Sequence, residues 1–108
     1  MKAWDIYSYQ PPGWDKPHPA VIVSHPLRVA NKPEVEIVLC SSQRATRPAS
    51  SGEVVLDEAD GLNWATLCKC GLIHNVPREA LKDRRGQVGA ERRRAIIREI
   101  LVAHDWFG

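Results

Sequence analysis

The sequence predicts a mainly β domain with a C-terminal helix (α+β), built as a small, strongly bent sheet or partial barrel. Three observations predict it. Five to seven short apolar segments with polar turns between them occupy most of the 108-residue chain. The end of the chain instead carries apolar residues three and four positions apart, the spacing of an amphipathic helix. The length suits one domain and no long linker interrupts it, so we predict a single domain over residues 1–108.

The first half of the chain is predicted to contain four strands. WDIYSY at 4–9 alternates large apolar and polar side chains, as a half-buried strand does. QPPGWDKPHP follows as a loop, because four prolines and a glycine prevent a β ladder. The next strands are AVIVS, EVEIVLCSS and EVVLD at 53–57. HPLRVANKPE at 25–34 is predicted to connect two of them without a helix, and residues 42–52 to form a polar loop.

The second half is predicted to add one more long strand before the helix. EADG at 58–61 reads as a turn, and LNWATLCKCGLIHNV as a strand with a break at Gly71. Pro77 stops that strand and begins a short helical turn. The terminal helix is predicted from Gly89 to Trp106, with isoleucine and leucine on one face and arginine on the other.

The overall charge neither requires nor excludes a nucleic acid partner. The chain has 15 Lys and Arg against 13 Asp and Glu, which gives a formal net charge of +2. No apolar run approaches the roughly 18 residues that suggest a membrane span, and the N-terminus lacks the apolar core of a signal peptide. We therefore expect a cytoplasmic protein with no membrane partner.

The three cysteines are an odd count, which argues against a disulfide framework. Cys68 and Cys70, with His74 nearby, invite a metal interpretation, but a fourth ligand would have to come from Cys40 or His25. We predict small buried thiols, with no metal and no cofactor.

Four stretches of the sequence are informative in their order and spacing: DIYSYQPPGWDKPHPAVIVS, EIVLCSSQ, GEVVLDEADGL and LCKCGLIHNVPREAL. Together they resemble the MazF/PemK family of bacterial toxins, and the terminal helix follows where the family has one. The resemblance covers nearly the whole chain and lies in the order and spacing of these stretches. It implies an SH3-like barrel of the MazF/PemK/CcdB type and a working homodimer. It also implies the toxin of a type II toxin–antitoxin pair, an endoribonuclease that cleaves single-stranded RNA without a metal and leaves a 2′,3′-cyclic phosphate and a 5′-hydroxyl.

The same resemblance indicates candidate catalytic residues and shows where this chain departs from the family. His18 stands where the family has a catalytic Arg, and Ser41 stands where it has a catalytic Thr. In one branch an Arg-x-Asp pair acts as acid and base, and here Lys69 and Gly71 occupy those two positions. The atypical catalytic set that we predict is therefore His18, Ser41 and Lys69.

The chemistry of these side chains fits RNA cleavage. A histidine titrates near neutral pH, so His18 could act as base or acid, with Pro17 and Pro19 restricting its backbone. Lys69 could stabilise charge on the phosphorane, and the Ser41 hydroxyl could donate one hydrogen bond to phosphate. Each could equally be structural: a solvated loop histidine, a serine that bonds its own turn, and a solvent-facing strand lysine.

The loops next to these strands carry residues that could bind RNA. Trp14 could stack on an unpaired base or, equally, anchor its loop on the barrel. The cations that could track phosphates are Lys16, Arg28, Lys32, Arg44 and Arg47, although a solvated loop surface explains each of them singly.

Two other functions stay open. The first is a binding protein of the same fold that has lost catalysis and contacts an antitoxin or nucleic acid. The second is a poison of DNA gyrase, a branch of related barrels that depends on its C-terminal residues. The ending Trp106-Phe107-Gly108 only partly resembles that tail.

Overall fold

The computed structural model describes residues 1–105 and shows six strands and two α-helices in that range. The strands are β1 (Asp5–Tyr9), β2 (His18–Ile22), β3 (Glu34–Cys40), β4 (Glu53–Leu56), β5 (Thr66–Pro77) and β6 (Lys82–Gln87). The helices are α1 (Pro26–Asn31) and α2 (Ala90–His104), and the 3-10 turns are Glu58–Asp60 and Arg78–Ala80. None of the helices in residues 1–105 combines the length and apolar character that crossing a bilayer requires.

The strands form one curled antiparallel sheet in the order β4-β5-β3-β2-β1-β6, with α2 packed on β4 and β5. The mainly β architecture with a C-terminal helix is therefore confirmed. Both faces of the central strands are buried, since alternate side chains enter two different cores. Val21 and Val38 pack in the core that includes Ile96 of α2, whereas Ile22 and Ile37 pack in the other core. This arrangement explains why β2 is continuously apolar rather than alternating.

A helix that the sequence analysis placed in a connection lies between β2 and β3. Pro26 occupies its first turn, and the His25 side chain caps it by accepting a hydrogen bond from the Leu27 amide at 3.1 Å. Val29 is its one buried residue and packs in the second core. Six residues with a single buried side chain are too few to show helical periodicity, so the prediction of a plain connection was wrong.

Strand β6 was also missed, because KDRRGQ contains no apolar side chain. It pairs with β1, which places Ile6 opposite Gly86 and Ser8 opposite Lys82. Polar contacts hold it there: buried Asp5 accepts hydrogen bonds from Arg84 and from Gln87, both at 3.2 Å. Burial alone would raise the pKa of Asp5, but the hydrogen bonds from Arg84 and from the Lys2 amide lower it below its ordinary value.

The other boundaries differ in smaller ways. Strand β5 begins at Thr66 and continues through Gly71 instead of breaking there. Its register with β3 does shift nearby, since Leu39 pairs with Lys69 but Ile37 pairs with His74. The helical turn predicted after Pro77 is a single 3-10 turn, and α2 begins after Gly89 as expected. The C-terminal tail considered for gyrase poisoning, with Trp106 and Phe107, lies outside the described residues.

A buried carboxylate joins the 58–60 turn to α2. Asp60 is almost fully buried, and its carboxylate accepts hydrogen bonds from the Asp57 amide (3.0 Å), the Gly89 amide (3.2 Å) and Arg92 of α2 (2.6 Å). Arg92 also binds both carboxylate oxygens of Asp57, at 2.7 and 3.1 Å. We call this set the Asp60 cluster: Asp57, Asp60, Gly89 and Arg92. The sequence analysis placed Arg92 on the helix face opposite the apolar residues. In the structure this arginine forms ion pairs with Asp57 and Asp60.

The close approach of β6 to the Asp60 cluster requires a glycine. A Cβ atom on Gly86 would lie 2.0 Å from the carbonyl oxygen of Asp60, which is backbone and cannot rotate away. We predict that Gly86→Ala lowers the free energy of unfolding by roughly 2–3 kcal/mol or more, the range of overpacking. Chemical denaturation followed by circular dichroism measures the change.

The matched control is Gly71→Ala in β5, where an added Cβ meets no atom within 4 Å. Its stability should stay within about 1 kcal/mol of the wild type, because alanine and glycine differ by that amount in a strand interior. Equal effects of the two substitutions would contradict the close packing of β6 on Asp60.

Candidate active site

His18 is held at the start of β2 by the end of β3. Its Nδ1 lies 3.0 Å from the carbonyl oxygen of Cys40. A carbonyl oxygen can only accept, so Nδ1 carries the proton and the neutral ring keeps its lone pair on Nε2. Trp14 from the preceding loop contacts the same imidazole edge-on, with ring centroids 4.8 Å apart. The sequence analysis placed His18 in the loop before the strand, whereas the structure makes it the first residue of β2.

A cleft of about 170 Å³ opens beside this histidine, and we call it the Arg85 cleft. Pro17 and Pro19 form one wall, whereas the side chain of His18 between them is not part of the lining. The remaining lining residues come from the end of β3, the segment before β5, the first residue of β5 and β6: Ser41, Ser42, Leu62, Asn63, Trp64, Thr66 and Arg85.

Arg85 is the cation of this cleft, and sequence reasoning did not select it. Its Nη1 lies 3.3 Å from the hydroxyl oxygen of Ser8, which is paired with Pro19 across β1 and β2. The half-buried guanidinium is therefore oriented by the strand that adjoins the cleft wall. In the sequence Arg85 was only one of several late arginines, and its strand carries no apolar signal.

Ser41 lies between two clefts and is fixed by its neighbours. Its amide donates to the Leu67 carbonyl at 2.9 Å, its carbonyl accepts from the Thr66 hydroxyl at 2.7 Å, and its own hydroxyl oxygen accepts from the Gln43 amide at 3.2 Å. Ser41 directly follows Cys40 in the chain, and the Cys40 carbonyl oxygen lies against the His18 ring.

Lys69 reaches Ser41 only from the other side, in a second cleft of about 160 Å³ that we call the Lys69 cleft. Its ammonium group is bound to the Glu53 carboxylate. Arg47 grips the same carboxylate with two hydrogen bonds, at 2.7 and 2.9 Å. The bonds from Arg47 and Lys69, with one from the Ser50 amide, hold the pKa of Glu53 well below its ordinary value. Lys69 therefore already has a counterion.

The residues predicted to bind RNA are dispersed. Trp14 is half exposed beside His18, and Lys16 is exposed in the same loop. Arg28 lies on α1 and forms an ion pair with Glu36 at 3.1 Å. Arg44 lies over the Trp64 ring, with its guanidinium carbon 5.8 Å from the ring centroid. Arg47, as described, is occupied by Glu53.

The cysteines are small core residues, as predicted. All three are buried and unpaired by disulfides. The contact of Cys70 with the Cys68 thiol, together with burial, raises the pKa of the Cys70 thiol. Within residues 1–105, no three His, Cys, Asp or Glu side chains are grouped in a way that could hold a metal ion.

Comparison with solved structures shows the fold. The Mycobacterium tuberculosis toxin MazF-mt6 superposes with a TM-score of 0.78 at 23% identity, over 94% of this chain and 96% of that chain. An endoribonuclease in complex with its cognate antitoxin, from a mycobacterial species, gives a TM-score of 0.83 at 19% identity, over 98% of this chain and 96% of that one. An endoribonuclease from a mycobacterial species gives 0.81 at 19% identity, over 100% and 94%. No family model and no curated protein sequence matches the chain. The chain has the fold of MazF toxins, which confirms the SH3-like barrel of the MazF type predicted from the sequence.

The ion pairs of Glu53 should make stability depend on pH. Because folding depresses the pKa of Glu53 below its ordinary value near 4.5, its stabilisation is complete above that pH and is lost as the pH falls. Glu53→Gln should therefore be less stable than the wild type at pH 7, and the difference should shrink between pH 5 and pH 3. Urea denaturation at several pH values measures it.

Glu79→Gln is the control, since Glu79 is exposed and forms no ion pair within residues 1–105. Its stability should follow that of the wild type at every pH. A difference between Glu53→Gln and the wild type that stays constant from pH 7 to pH 3 would contradict the assigned ion pairs.

Proposed function

We propose that this chain is the toxin of a type II toxin–antitoxin pair, a metal-independent endoribonuclease that cleaves single-stranded RNA. The observation that carries the proposal is the position of His18, whose imidazole is oriented by Cys40 next to Ser41. These are the two positions at which the resemblance implies a catalytic Arg and a catalytic Thr. Support comes from the fold, which a toxin and two endoribonucleases share over at least 94% of this chain.

The proposed reaction is a transesterification that begins at the free Nε2 of His18. Nε2 takes the proton of the ribose 2′-hydroxyl, and the 2′-oxygen forms a bond to the adjacent phosphorus. The bond from phosphorus to the 5′-oxygen breaks, and that oxygen takes a proton from the imidazolium or from water. The products are a 2′,3′-cyclic phosphate and a 5′-hydroxyl, and no metal takes part.

We assign the stabilisation of the phosphorane to Arg85, assisted by the Ser41 hydroxyl. A guanidinium offers two parallel donors to phosphate, and Arg85 shares its cleft with Ser41. Lys69 was the cation expected from the sequence. Its pairing with Glu53 favours a structural role, because binding phosphate would require it to leave that carboxylate.

A binding protein without catalysis is the alternative, and one observation favours it. Glu53 forms ion pairs with both Lys69 and Arg47, so two of the cations predicted to act on RNA already have a carboxylate partner. In that case the fold would serve to contact an antitoxin or a nucleic acid.

The partners of the proposed toxin are single-stranded RNA and a cognate antitoxin. The resemblance implies a homodimer in the cytoplasm, and one structural neighbour is an endoribonuclease in complex with its cognate antitoxin. Light scattering of the purified protein, alone and with the product of an adjacent reading frame, tests both associations.

The activity is tested with purified protein and a long single-stranded RNA in EDTA, with the product ends mapped. We predict cleavage that leaves cyclic phosphate, and a loss of about 10²–10⁴-fold in rate for His18→Ala, the usual contribution of a general base. The control is His25→Asn, since His25 caps α1 away from the cleft and asparagine also caps helices.

The results of this assay distinguish the enzyme from the binding protein. Cleavage that persists in His18→Ala would keep the enzyme but remove His18 from catalysis. No cleavage by a folded dimer would favour the binding protein.

The identity of the catalytic cation is tested by comparing Arg85→Ala with Lys69→Ala in the same assay. We predict that Arg85→Ala slows cleavage by about 10²–10³-fold, as removal of a donor to developing charge does, and that Lys69→Ala slows it less than tenfold. Arg85→Lys should recover only part of the rate, because lysine lacks the paired donors. A larger loss for Lys69→Ala would return this role to Lys69.

A further inference from the structure

One wall of the Arg85 cleft has no part in the proposed reaction. It is formed by the segment Leu62–Trp64, between the 58–60 turn and β5. Leu62 is buried in the core, whereas Asn63 and Trp64 are exposed at the cleft. The segment is held in place, because the Ala65 carbonyl accepts a hydrogen bond from the Ala45 amide at 2.8 Å. A firmly held, exposed tryptophan at the mouth of a cleft is a surface on which a ligand can bind.

Trp64 provides an aromatic ring with a positive charge over one of its faces. The residue is 37% exposed, and the Arg44 guanidinium covers part of its ring. Any nucleobase can stack on such a ring, because every base has a flat aromatic face. An arginine at the ring can bind the phosphate of the same nucleotide. An aliphatic ligand could pack on the Trp64 ring but would offer no negative charge to Arg44.

Asn63 and Ser42 provide unused polar groups at the same cleft. Within residues 1–105, neither side chain forms a hydrogen bond. The Asn63 amide carries one acceptor oxygen and two donor hydrogens, which match the adjacent donor and acceptor atoms on the edge of a nucleobase. The prolines and Leu62 supply the apolar part of the lining.

The size of the cleft limits what can enter it. Its volume of about 170 Å³ is below the roughly 300–1,000 Å³ of pockets for drug-sized ligands. A single flat ring system is the appropriate scale, with the rest of a longer ligand outside. Arg85 at the same cleft provides the charge for a phosphate attached to that ring through its sugar.

We propose that the Arg85 cleft holds one unpaired nucleobase of the RNA, which stacks on Trp64 and is read at its edge by Asn63. This proposal rests on the proposed RNA substrate and adds that these two residues determine base preference next to the cleaved bond. Ser41 and Arg85 act on the phosphate, and the Asn63–Trp64 wall selects the nucleotide.

Binding is measured by fluorescence anisotropy with labelled single-stranded oligonucleotides in EDTA, on the His18→Ala background so that the RNA stays intact. Trp64→Ala should weaken binding by about 5- to 100-fold, the range observed when a stacking side chain is removed. Trp64→Phe keeps an aromatic face and should recover most of the affinity. Leu72→Ala is the control, because Leu72 is exposed and apolar but does not line the cleft.

Base preference is measured separately by sequencing the ends of fragments cut from a random RNA by the otherwise intact enzyme. Asn63→Asp replaces the amide donors with a carboxylate of the same shape, so the preference should change at one nucleotide position of the cut sites. Cleavage by Leu72→Ala should keep the wild-type preference.

The outcomes distinguish this proposal from the proposed function. If the variants at Asn63 and Trp64 cleave RNA with the wild-type base preference and bind it with the wild-type affinity, the subsite is wrong and the proposed enzyme stands. If binding depends on Trp64 but the protein cleaves no RNA, the subsite stands and belongs to a binding protein. No binding of any oligonucleotide by the folded protein overturns both.

Discussion

The buried carboxylate of Asp60 is the constraint on which the rest of this structure depends. It is surrounded by the Asp57 and Gly89 amides and by Arg92, so its desolvated charge is compensated by three donors. These contacts join a turn, the beginning of α2 and the helix itself. The carbonyl of the same residue lies against Gly86, which fixes how closely β6 can approach. Two walls of the Arg85 cleft lie close to these contacts: Arg85 directly precedes Gly86, and the Asn63–Trp64 wall follows the turn after Gly61 and Leu62.

Polar contacts, rather than apolar burial, thus position the β6 side of the sheet. Strand β6 contributes no apolar side chain and is held by its pairing with β1 and by the hydrogen bonds to Asp5. A buried carboxylate that loses its hydrogen-bond donors destabilises the folded protein. The hydrogen bonds to Asp5 therefore hold β6 in one position. The apolar cores of the central strands tolerate more variation, since hydrophobic packing has no direction. This division explains how the cleft can be specified by few residues at one edge of an otherwise apolar barrel.

The sequence predicted what apolar periodicity encodes and missed what polar contacts encode. Strands β1 to β5 carry apolar alternation or short apolar runs, and helix α2 carries a three- to four-residue period, so their existence was predicted. Helix α1 buries only Val29, and β6 buries nothing apolar, so no period marked them. The candidate site followed the same rule. His18 and Ser41 lie next to predicted apolar strands and were therefore considered, whereas Arg85 lies on the strand without a signal. The pairing of Lys69 with Glu53 joins residues 16 positions apart, which no local pattern reveals.

The replacement of an arginine by His18 makes chemical sense only together with the loss of the aspartate position at Gly71. A guanidinium stays protonated at any physiological pH, so an enzyme that uses it for charge stabilisation needs another group as base. A neutral imidazole can take a proton, and the Cys40 carbonyl fixes which of its nitrogens does so. In the proposed mechanism His18 transfers the proton, so a carboxylate at position 71 is not required, but a cation still is. We assign that need to Arg85 in the cleft lined by Pro17 and Pro19, the neighbours of His18, while Lys69 and Arg47 remain with Glu53 as part of the scaffold. The proposed site thus divides proton transfer and charge stabilisation between different strands.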